Sequence, residues 1–355
     1  MKKNTPHAGP YLARVRSAAL AFMATLLALP AGAGINLPRE PLQSSGRVAP
    51  NILYVLDDSG SMAFDAMPAD SISGWQGRTY VHNTVYYNPA RTYQPWTKAD
   101  GTLMTGGTSY TAVYGDFNLA SGNTIDLSDA GSCRNYNQND STNNSAEHTQ
   151  VCGGVQTFYV PKNTGNTDAA YLADQANYYR YQIFTDGVIV RSDYGPRVGT
   201  TSPYNRGLDN RNCSTSTNPV NDWRNCTQVT PTGRSEADER TNYATWFSYH
   251  RTRMKAAKAG SGVAFDGLAG NVRVGFRTIW QRQPGGTRPA NEPTQAIPIP
   301  VQYNDGLFVD PNGTTGALNN RTQWYNRLYG AIGYNGTPLK GALQQAGLYY
   351  SSNSS

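Results

Sequence analysis

The stretch NILYVLDDSGSMAF, residues 51–64, decides the fold. Its first six residues are mostly apolar, which predicts a buried strand. The strand ends at Asp57, and Ser59 and Ser61 follow in a small turn. One carboxylate and two hydroxyls therefore surround the carboxyl end of a strand, where open α/β sheets place their ligands. Hard oxygen donors of this kind suit Mg²⁺ or another small divalent cation.

Regular patterns return in residues 235–355, and together with residues 51–62 they predict an α/β domain. SEADERTNYATWFSYHRTRMKAAKAG opens on a Ser-x-x-Asp capping signal, which predicts one helix over residues 235–260. NVRVGFRTIW alternates as a strand, NRTQWYNRLYGAI is typical of an amphipathic helix, and GTPLKGALQQAGLYY indicates a loop that opens a helix. Cations in the second half of the first helix are expected to favour its dipole. These cations are Arg251, Arg253, Lys255 and Lys258.

Residues 63–234 interrupt this pattern with a long insertion. Short strand candidates alternate there with Gly, Asn, Ser and Thr turns. The candidates are TYVHNTVYY, TFYVP, YRYQIF and GVIVR. We predict an insertion of short β ribbons. Because loops on a scaffold carry recognition, deleting residues 105–230 is expected to cost adhesion more than folding.

The four cysteines all lie in this insertion. An even number of cysteines in an exported chain indicates disulfides, and among three possible connectivities we favour the two local pairs. These pairs are Cys133–Cys152 and Cys213–Cys226. A zinc site is the alternative, but no C-x-x-C pair is present and no histidine lies close to either pair.

The N-terminus has the form of a secretory signal peptide. A basic head precedes the twelve-residue apolar run AALAFMATLLAL, and Ala31-Gly32-Ala33 matches a signal peptidase site. We predict a signal peptide at residues 1–33 and a linker at residues 34–50. The peptide holds four basic residues and no acid, so its removal lowers the formal charge from +6 to +2. Because of this small net charge, the mature chain is not expected to bind nucleic acid. Because the apolar run is removed with the peptide, no integral membrane segment is expected to remain.

VLDDSGSM resembles the metal-ion-dependent adhesion site of von Willebrand factor type A domains, whose signature is Asp-x-Ser-x-Ser. The resemblance implies a doubly wound, mainly parallel sheet. It also implies that Asp57, Ser59 and Ser61 are ligands of a divalent cation, Mg²⁺ or Ca²⁺. Asp58 takes the variable position and is expected only to tune the local charge. The second family motif, a Thr in a loop that opens a helix, matches Thr337 in NGTPL.

The third family motif is an Asp after the next strand, which is expected just beyond Tyr350, so the domain is expected to be truncated before its last strands. IFTDG, residues 183–187, has a similar form but runs directly into VIVR, which favours a hairpin turn. Two simpler interpretations stay open. Residues 57–61 could form an ordinary Asx or Ser turn, and Thr337 before Pro338 could act only as a helix N-cap.

Further motifs extend the resemblance to type IV pilus-tip adhesins of the PilC/PilY type. They are YYNPARTYQPW, NYATWFSYHRTRMKAAKA, VRVGFRTI and YNGTPLKGALQQAGLYY. Proteins of that family join a von Willebrand A-like part to a C-terminal β-propeller, which is not expected within these 355 residues. The resemblance implies an exported, bacterial adhesin and assembly factor in the periplasm and at the outer surface, at the pilus tip. The implied partners are minor pilins and a host or surface receptor.

Two alternative classes stay open from the sequence. They are a von Willebrand A module of another exported adhesion or matrix-binding protein, and a chelatase- or ATPase-associated module. DDSGS also echoes the serine-protease GDSGG, but nucleophilic catalysis needs an activating base. The histidines His7, His82, His148 and His250 lie in no catalytic motif, and His250 is expected in the core. We therefore do not expect an enzyme.

Overall fold

The computed structural model describes residues 49–69, 72, 74–115, 124–135, 150–195, 222–268, 272–280, 307–309, 320–333 and 336–352. The predicted signal peptide and the linker up to residue 48 lie outside these ranges. The strands are β1 (Asn51–Leu56), β2 (Val113–Tyr114), β3 (Thr124–Ile125), β4 (Cys133–Asn135), β5 (Gln150–Cys152), β6 (Gln156–Pro161), β7 (Tyr178–Ile183), β8 (Ile189–Gly195), β9 (Asp222–Gln228) and β10 (Arg273–Thr278). The helices are α1 (Ala169–Ala173), α2 (Glu236–Tyr249), α3 (Arg253–Asp266), α4 (Asn320–Gly330) and α5 (Leu339–Ser352). Within the described ranges, no helix is long and apolar enough to cross a bilayer.

The strand predicted from the opening stretch is confirmed as β1, and the alternating strand is confirmed as β10. The two pair in parallel, from Asn51 opposite Arg273 to Leu56 opposite Thr278. Parallel neighbours end at the same edge of a sheet. The turn after β1 and the residues after β10 therefore lie side by side.

Helices cover both faces of this strand pair. On one face, the strands share a buried core with α3 and α4, in which the rings of Phe276 and Trp324 meet edge to face at 5.9 Å. On the other face, Val55 packs against a small cluster that includes Ala342 of α5. The described residues thus form a mixed α/β fold, as predicted, and β1 and β10 are the parallel strands that these residues contain.

The single helix predicted over residues 235–260 is wrong, because the chain forms α2 and α3 instead. The predicted N-cap is confirmed, since the Ser235 hydroxyl accepts the N–H of Asp238 at 3.1 Å. A second cap starts α3. Thr252 is extended (φ −114°, ψ 163°), and its hydroxyl accepts the N–H of Lys255 at 3.2 Å. Helix α2 ends at Tyr249 with His250 as its C-cap, and the extended Thr252 then caps the start of α3.

From the sequence, the lysines of α3 are expected to favour the dipole of their own helix. The structure shows a different role for them. Lys255 and Lys258 are fully buried. Lys255 Nζ donates to the carbonyl of Phe247 in the last turn of α2, at 3.2 Å. Lys258 Nζ donates to the carbonyls of Tyr329 and Ala331, at 2.8 and 2.6 Å. These lysines satisfy carbonyls at the C-terminal ends of α2 and α4, which the helices themselves leave unbonded. Burial lowers the pKa of Lys258 well below its ordinary value.

The insertion contains a four-stranded antiparallel sheet in the order β6-β7-β8-β9. The candidates TFYVP, YRYQIF and GVIVR are confirmed in β6, β7 and β8, and the sequence reading missed β9. The hairpin turn predicted at residues 183–187 is also confirmed. The N–H of Gly187 donates to the Phe184 carbonyl at 2.8 Å, and Gly187 has the positive φ of 86° that glycine tolerates.

TYVHNTVYY, residues 79–87, is not a strand but a series of turns. Asn83 explains why. Its buried amide donates to the carbonyls of Asp65 and Gly77, at 2.7 and 2.9 Å, and its side-chain oxygen accepts the N–H of Met67 at 3.1 Å. The backbone on either side of Asn83 closes into turns, since the Asn83 N–H donates to the Thr79 carbonyl and the Tyr86 N–H donates to the Asn83 carbonyl, both at 2.9 Å.

The insertion sheet shares its hydrophobic core with α2. Tyr243, Trp246 and Phe247 of that helix are buried in one cluster with Phe158 and Tyr181 of the sheet. The rings of Phe158 and Tyr181 stack at 5.5 Å. The division into residues 63–234 and 235–355 stays a prediction, but this packing ties the two parts together.

One of the two predicted disulfides is confirmed, between Cys133 and Cys152. These cysteines lie opposite each other in the antiparallel pair β4 and β5. Cys226 is also disulfide-bonded, and its predicted partner, Cys213, lies outside the described residues.

His250 is partly buried in the break between α2 and α3, where its Nε2 lies 2.8 Å from the Gln94 carbonyl. Burial lowers the pKa of His250 to about 4, and the nearby Lys255 and Arg91 charges act in the same direction. The folded state therefore favours the neutral ring. The stability that this contributes is present above the unfolded pKa of about 6.5 and is lost as the pH falls towards 4.

We expect the wild-type free energy of unfolding to fall between pH 7 and pH 4 by at most roughly 3 kcal/mol more than that of His250→Gln. Glutamine has no titrating group, so the difference between the two urea-denaturation curves isolates the histidine. Parallel pH dependence in the two proteins would show that His250 does not gain or lose a proton on unfolding.

Candidate metal site

The turn after β1 gathers the oxygens that the sequence predicts as ligands. The Ser59 N–H donates to Asp57 Oδ1 at 2.8 Å, and Ser59 Oγ lies 3.2 Å from Ser61 Oγ. Ser59 is buried and extended, and a short 3-10 turn over Gly60–Ala63 follows it. The turn thus holds the Asp57 carboxylate on the Ser59 N–H and the two hydroxyls within hydrogen-bond distance of each other.

The donor set fits a small hard cation. Two neighbouring ligands of an octahedral Mg²⁺, with bonds of about 2.1 Å, lie about 3 Å apart. The hydroxyls of Ser59 and Ser61 have nearly this spacing. Asp57, partly exposed, supplies the one carboxylate. Among the described residues no group of three His, Cys, Asp or Glu side chains forms a metal cluster. A cation here would therefore depend on hydroxyls as well as on Asp57.

Asp58 does not behave as an exposed variable position. It is 1% exposed, and its Oδ1 accepts the backbone N–H of Trp280 at 3.0 Å. Trp280 follows β10, so this bond ties the carboxyl ends of the two parallel strands together. The expectation that Asp58 only tunes local charge is wrong, because its carboxylate is part of the buried structure.

Thr337 is exposed in the loop that precedes α5. The carbonyl of its neighbour Gly336 accepts the indole N–H of Trp280 at 2.7 Å. At the start of the same loop, Gly333 lies against the first turn, where a methyl group would be 2.9 Å from the Ser59 carbonyl oxygen. The structure therefore brings the Thr337 loop and the Asp57 turn together through Gly333 and Trp280.

The sequence does not identify Trp280 or Gly333 as residues of the site. Trp280 ends the alternating run NVRVGFRTIW, where a large apolar residue indicates only core packing. Gly333 lies in an ordinary helix-to-loop segment. Local sequence carries no signal for either role, because both depend on contacts between residues far apart in the chain.

The described histidines contact backbone carbonyls. His82 Nε2 lies 2.9 Å from the carbonyl of Leu172, and His250 contacts that of Gln94. His7 and His148 lie outside the described residues.

Together these features define a disulfide-bonded α/β protein with an oxygen-rich turn at the end of paired parallel strands. Comparison with curated proteins finds the type IV pilus biogenesis factor PilY1 of Pseudomonas aeruginosa. The UCBPP-PA14 protein is 26% identical over 326 residues, which cover 91% of this chain and 22% of that protein. The PAO1 protein is 28% identical over 252 residues, which cover 70% of this chain and 17% of that protein. The PAK protein is 24% identical over 336 residues, which cover 89% of this chain and 22% of that protein. The chain is thus similar to these PilY1 proteins over most of its own length and spans about a fifth of the length of the first of them. No protein-family model matches the chain, and no solved structure does.

Proposed function

We propose that this chain is part of an exported type IV pilus biogenesis factor and adhesin that binds its partners through a divalent cation. The similarity to PilY1 over most of the chain is the observation that carries the pilus role. The adhesin works at the pilus tip, on the outer surface. Its partners are minor pilins and a host or surface receptor.

In this proposal the fold is a von Willebrand A-like domain. The parallel pairing of β1 with β10 supports it, as does the presence of helices on both faces of that pair. The cation site lies at the carboxyl ends of the strands, where ligands of open α/β sheets bind.

The proposed ligands are Asp57, Ser59, Ser61 and Thr337, directly or through water. One carboxylate and neutral hydroxyls leave one of the two positive charges of Mg²⁺ or Ca²⁺ uncompensated. A cation held by these residues would supply a Lewis acid centre for a carboxylate oxygen of a partner protein. The chain orients its own oxygens around that centre and keeps one side of the turn open, since Asp57 and Thr337 are not buried.

The test compares two turns of the same kind. Asp126 also accepts the N–H of the serine two residues later, Ser128, at 2.8 Å, and it is partly exposed like Asp57. Asparagine at either position keeps an oxygen for that bond and removes the charge. We expect Asp57→Asn to weaken Mg²⁺ and Ca²⁺ binding by at least about tenfold, because charge-bearing ligands dominate affinity for hard cations.

Asp126→Asn should bind these ions as the wild type does. Isothermal titration calorimetry of the three proteins measures the affinities. Equal losses in both variants, or no binding by the wild type, would overturn the proposed site and leave residues 57–61 as an ordinary Asx turn.

A further inference from the structure

Trp280 makes two hydrogen bonds to segments that are far from it in the sequence. Its backbone N–H donates to Asp58 Oδ1 at 3.0 Å, and its indole Nε1–H donates to the Gly336 carbonyl at 2.7 Å. Asp58 follows Asp57 directly, and Gly336 precedes Thr337 directly. Trp280 thus bonds both to the residue next to Asp57 and to the residue next to Thr337.

The position of the indole ring is fixed independently of these bonds. Trp280 is 5% exposed and packs in a cluster with Ile279 and Ala342, against Val55 of β1. Its backbone continues β10, which is held in register with β1. A donor on a packed ring keeps its direction, so the Gly336 carbonyl is held at a set place relative to the strands.

The loop before α5 has a second fixed point at its start. Gly333 lies so close to the first turn that a methyl group would be 2.9 Å from the Ser59 carbonyl oxygen and 3.2 Å from the Ala63 nitrogen. Between this contact and the indole bond, few residues remain. Gly336 and Thr337 are exposed, and the Trp280 bond holds the Gly336 carbonyl at this end of the loop.

We propose that Trp280 is a positioning residue of the cation site, which sets the distance between the Asp57 turn and Thr337 and so determines the affinity for the cation. This inference rests on the proposed function. Residues that orient metal ligands through hydrogen bonds commonly change metal affinity by about 10- to 100-fold when they are replaced.

The decisive variant is Trp280→Phe, which keeps an aromatic ring and the backbone N–H but removes the indole donor. Trp246→Phe is the matched control. Trp246 is also buried, in the hydrophobic cluster that α2 shares with the insertion sheet, and its indole donates to the carbonyl of Val85 at 2.9 Å. Both variants lose one indole-to-carbonyl bond, but only Trp280 contacts the loop of Thr337.

We expect Trp280→Phe to weaken Mg²⁺ binding by about tenfold or more, and Trp246→Phe to bind Mg²⁺ as the wild type does. Calorimetry measures the affinities, and urea denaturation measures the stability loss of each variant. If the wild type binds Mg²⁺ and Trp280→Phe binds it equally well, the positioning role is overturned while the proposed site stands. If the wild type does not bind, both proposals fail.

A second measurement needs no variant, so it tests the proposal even if the Trp280→Phe protein does not fold. In wild-type protein labelled with ¹⁵N at tryptophan, saturating Mg²⁺ should shift the indole N–H resonance of Trp280 and leave that of Trp246 in place. An unmoved Trp280 resonance in Mg²⁺-bound protein would contradict the proposal.

Discussion

A chain that lacks residues 105–230 should fail to fold cooperatively. From the sequence, the deletion is expected to spare the fold, but the packing of α2 predicts the opposite. Tyr243, Trp246 and Phe247 would lose the sheet side chains that bury them. Exposing three aromatic side chains costs roughly 3 kcal/mol each, and the sum is comparable to the roughly 5–15 kcal/mol that stabilises a whole domain.

Polar contacts would be lost in the same deletion. The Ser248 hydroxyl donates to the Gly107 carbonyl at 2.6 Å, the Tyr249 hydroxyl to that of Gly106 at 2.9 Å, and Lys255 Nζ to that of Tyr114 at 2.8 Å. Buried donors without partners are costly. Near-UV circular dichroism and urea denaturation of the deleted chain provide the measurement.

A pair of point variants makes the same test without a deletion. Phe158→Ala should destabilise the full chain by about 3–5 kcal/mol, because its ring is buried and stacked on Tyr181. Val155→Ala, just before the same strand and 42% exposed, is the control and should change the free energy of unfolding by less than about 0.5 kcal/mol. A deleted chain that unfolds cooperatively at the wild-type urea concentration would show that α2 does not need the insertion.

The second large effect is expected at Asp58, where alanine should destabilise the protein by about 3–5 kcal/mol. The carboxylate is 1% exposed and holds the Trp280 N–H. It also lies near the fully buried Arg277. Burial lowers the pKa of Arg277, and the Asp58 charge acts to raise it. Removing one member of a set of buried charges leaves the others poorly compensated.

Asp57→Ala is the natural control, since it is the same change one residue earlier. Asp57 is partly exposed and accepts one backbone N–H, so its loss should cost about 1 kcal/mol. Urea denaturation without added metal compares the two. A larger loss in Asp57→Ala than in Asp58→Ala would mean that the roles of the two aspartates are exchanged.

The sequence by itself determined the elements whose signals are local. The strand over Asn51–Leu56, the N-cap at Ser235 and the hairpin at residues 183–187 follow from residue periodicity and backbone preferences within a few positions. The pairing of Cys133 with Cys152, which the sequence favours among three connectivities, is confirmed by the structure. The turn after β1 belongs here too, because Asp57, Ser59 and Ser61 lie within five residues and bond to one another.

Only the tertiary structure decided the features that depend on distant contacts. The break before Thr252 lies in a stretch whose local signal is helical, and the buried lysines of α3 bind carbonyls of α2 and of the segment around the end of α4. Adjacent aspartates look alike in sequence, yet pairing with β10 places Asp58 under Trp280 and leaves Asp57 accessible. A hydrogen bond between residues separated by hundreds of positions leaves no periodicity in the chain, so the place of Trp280 could be learned only from the folded arrangement.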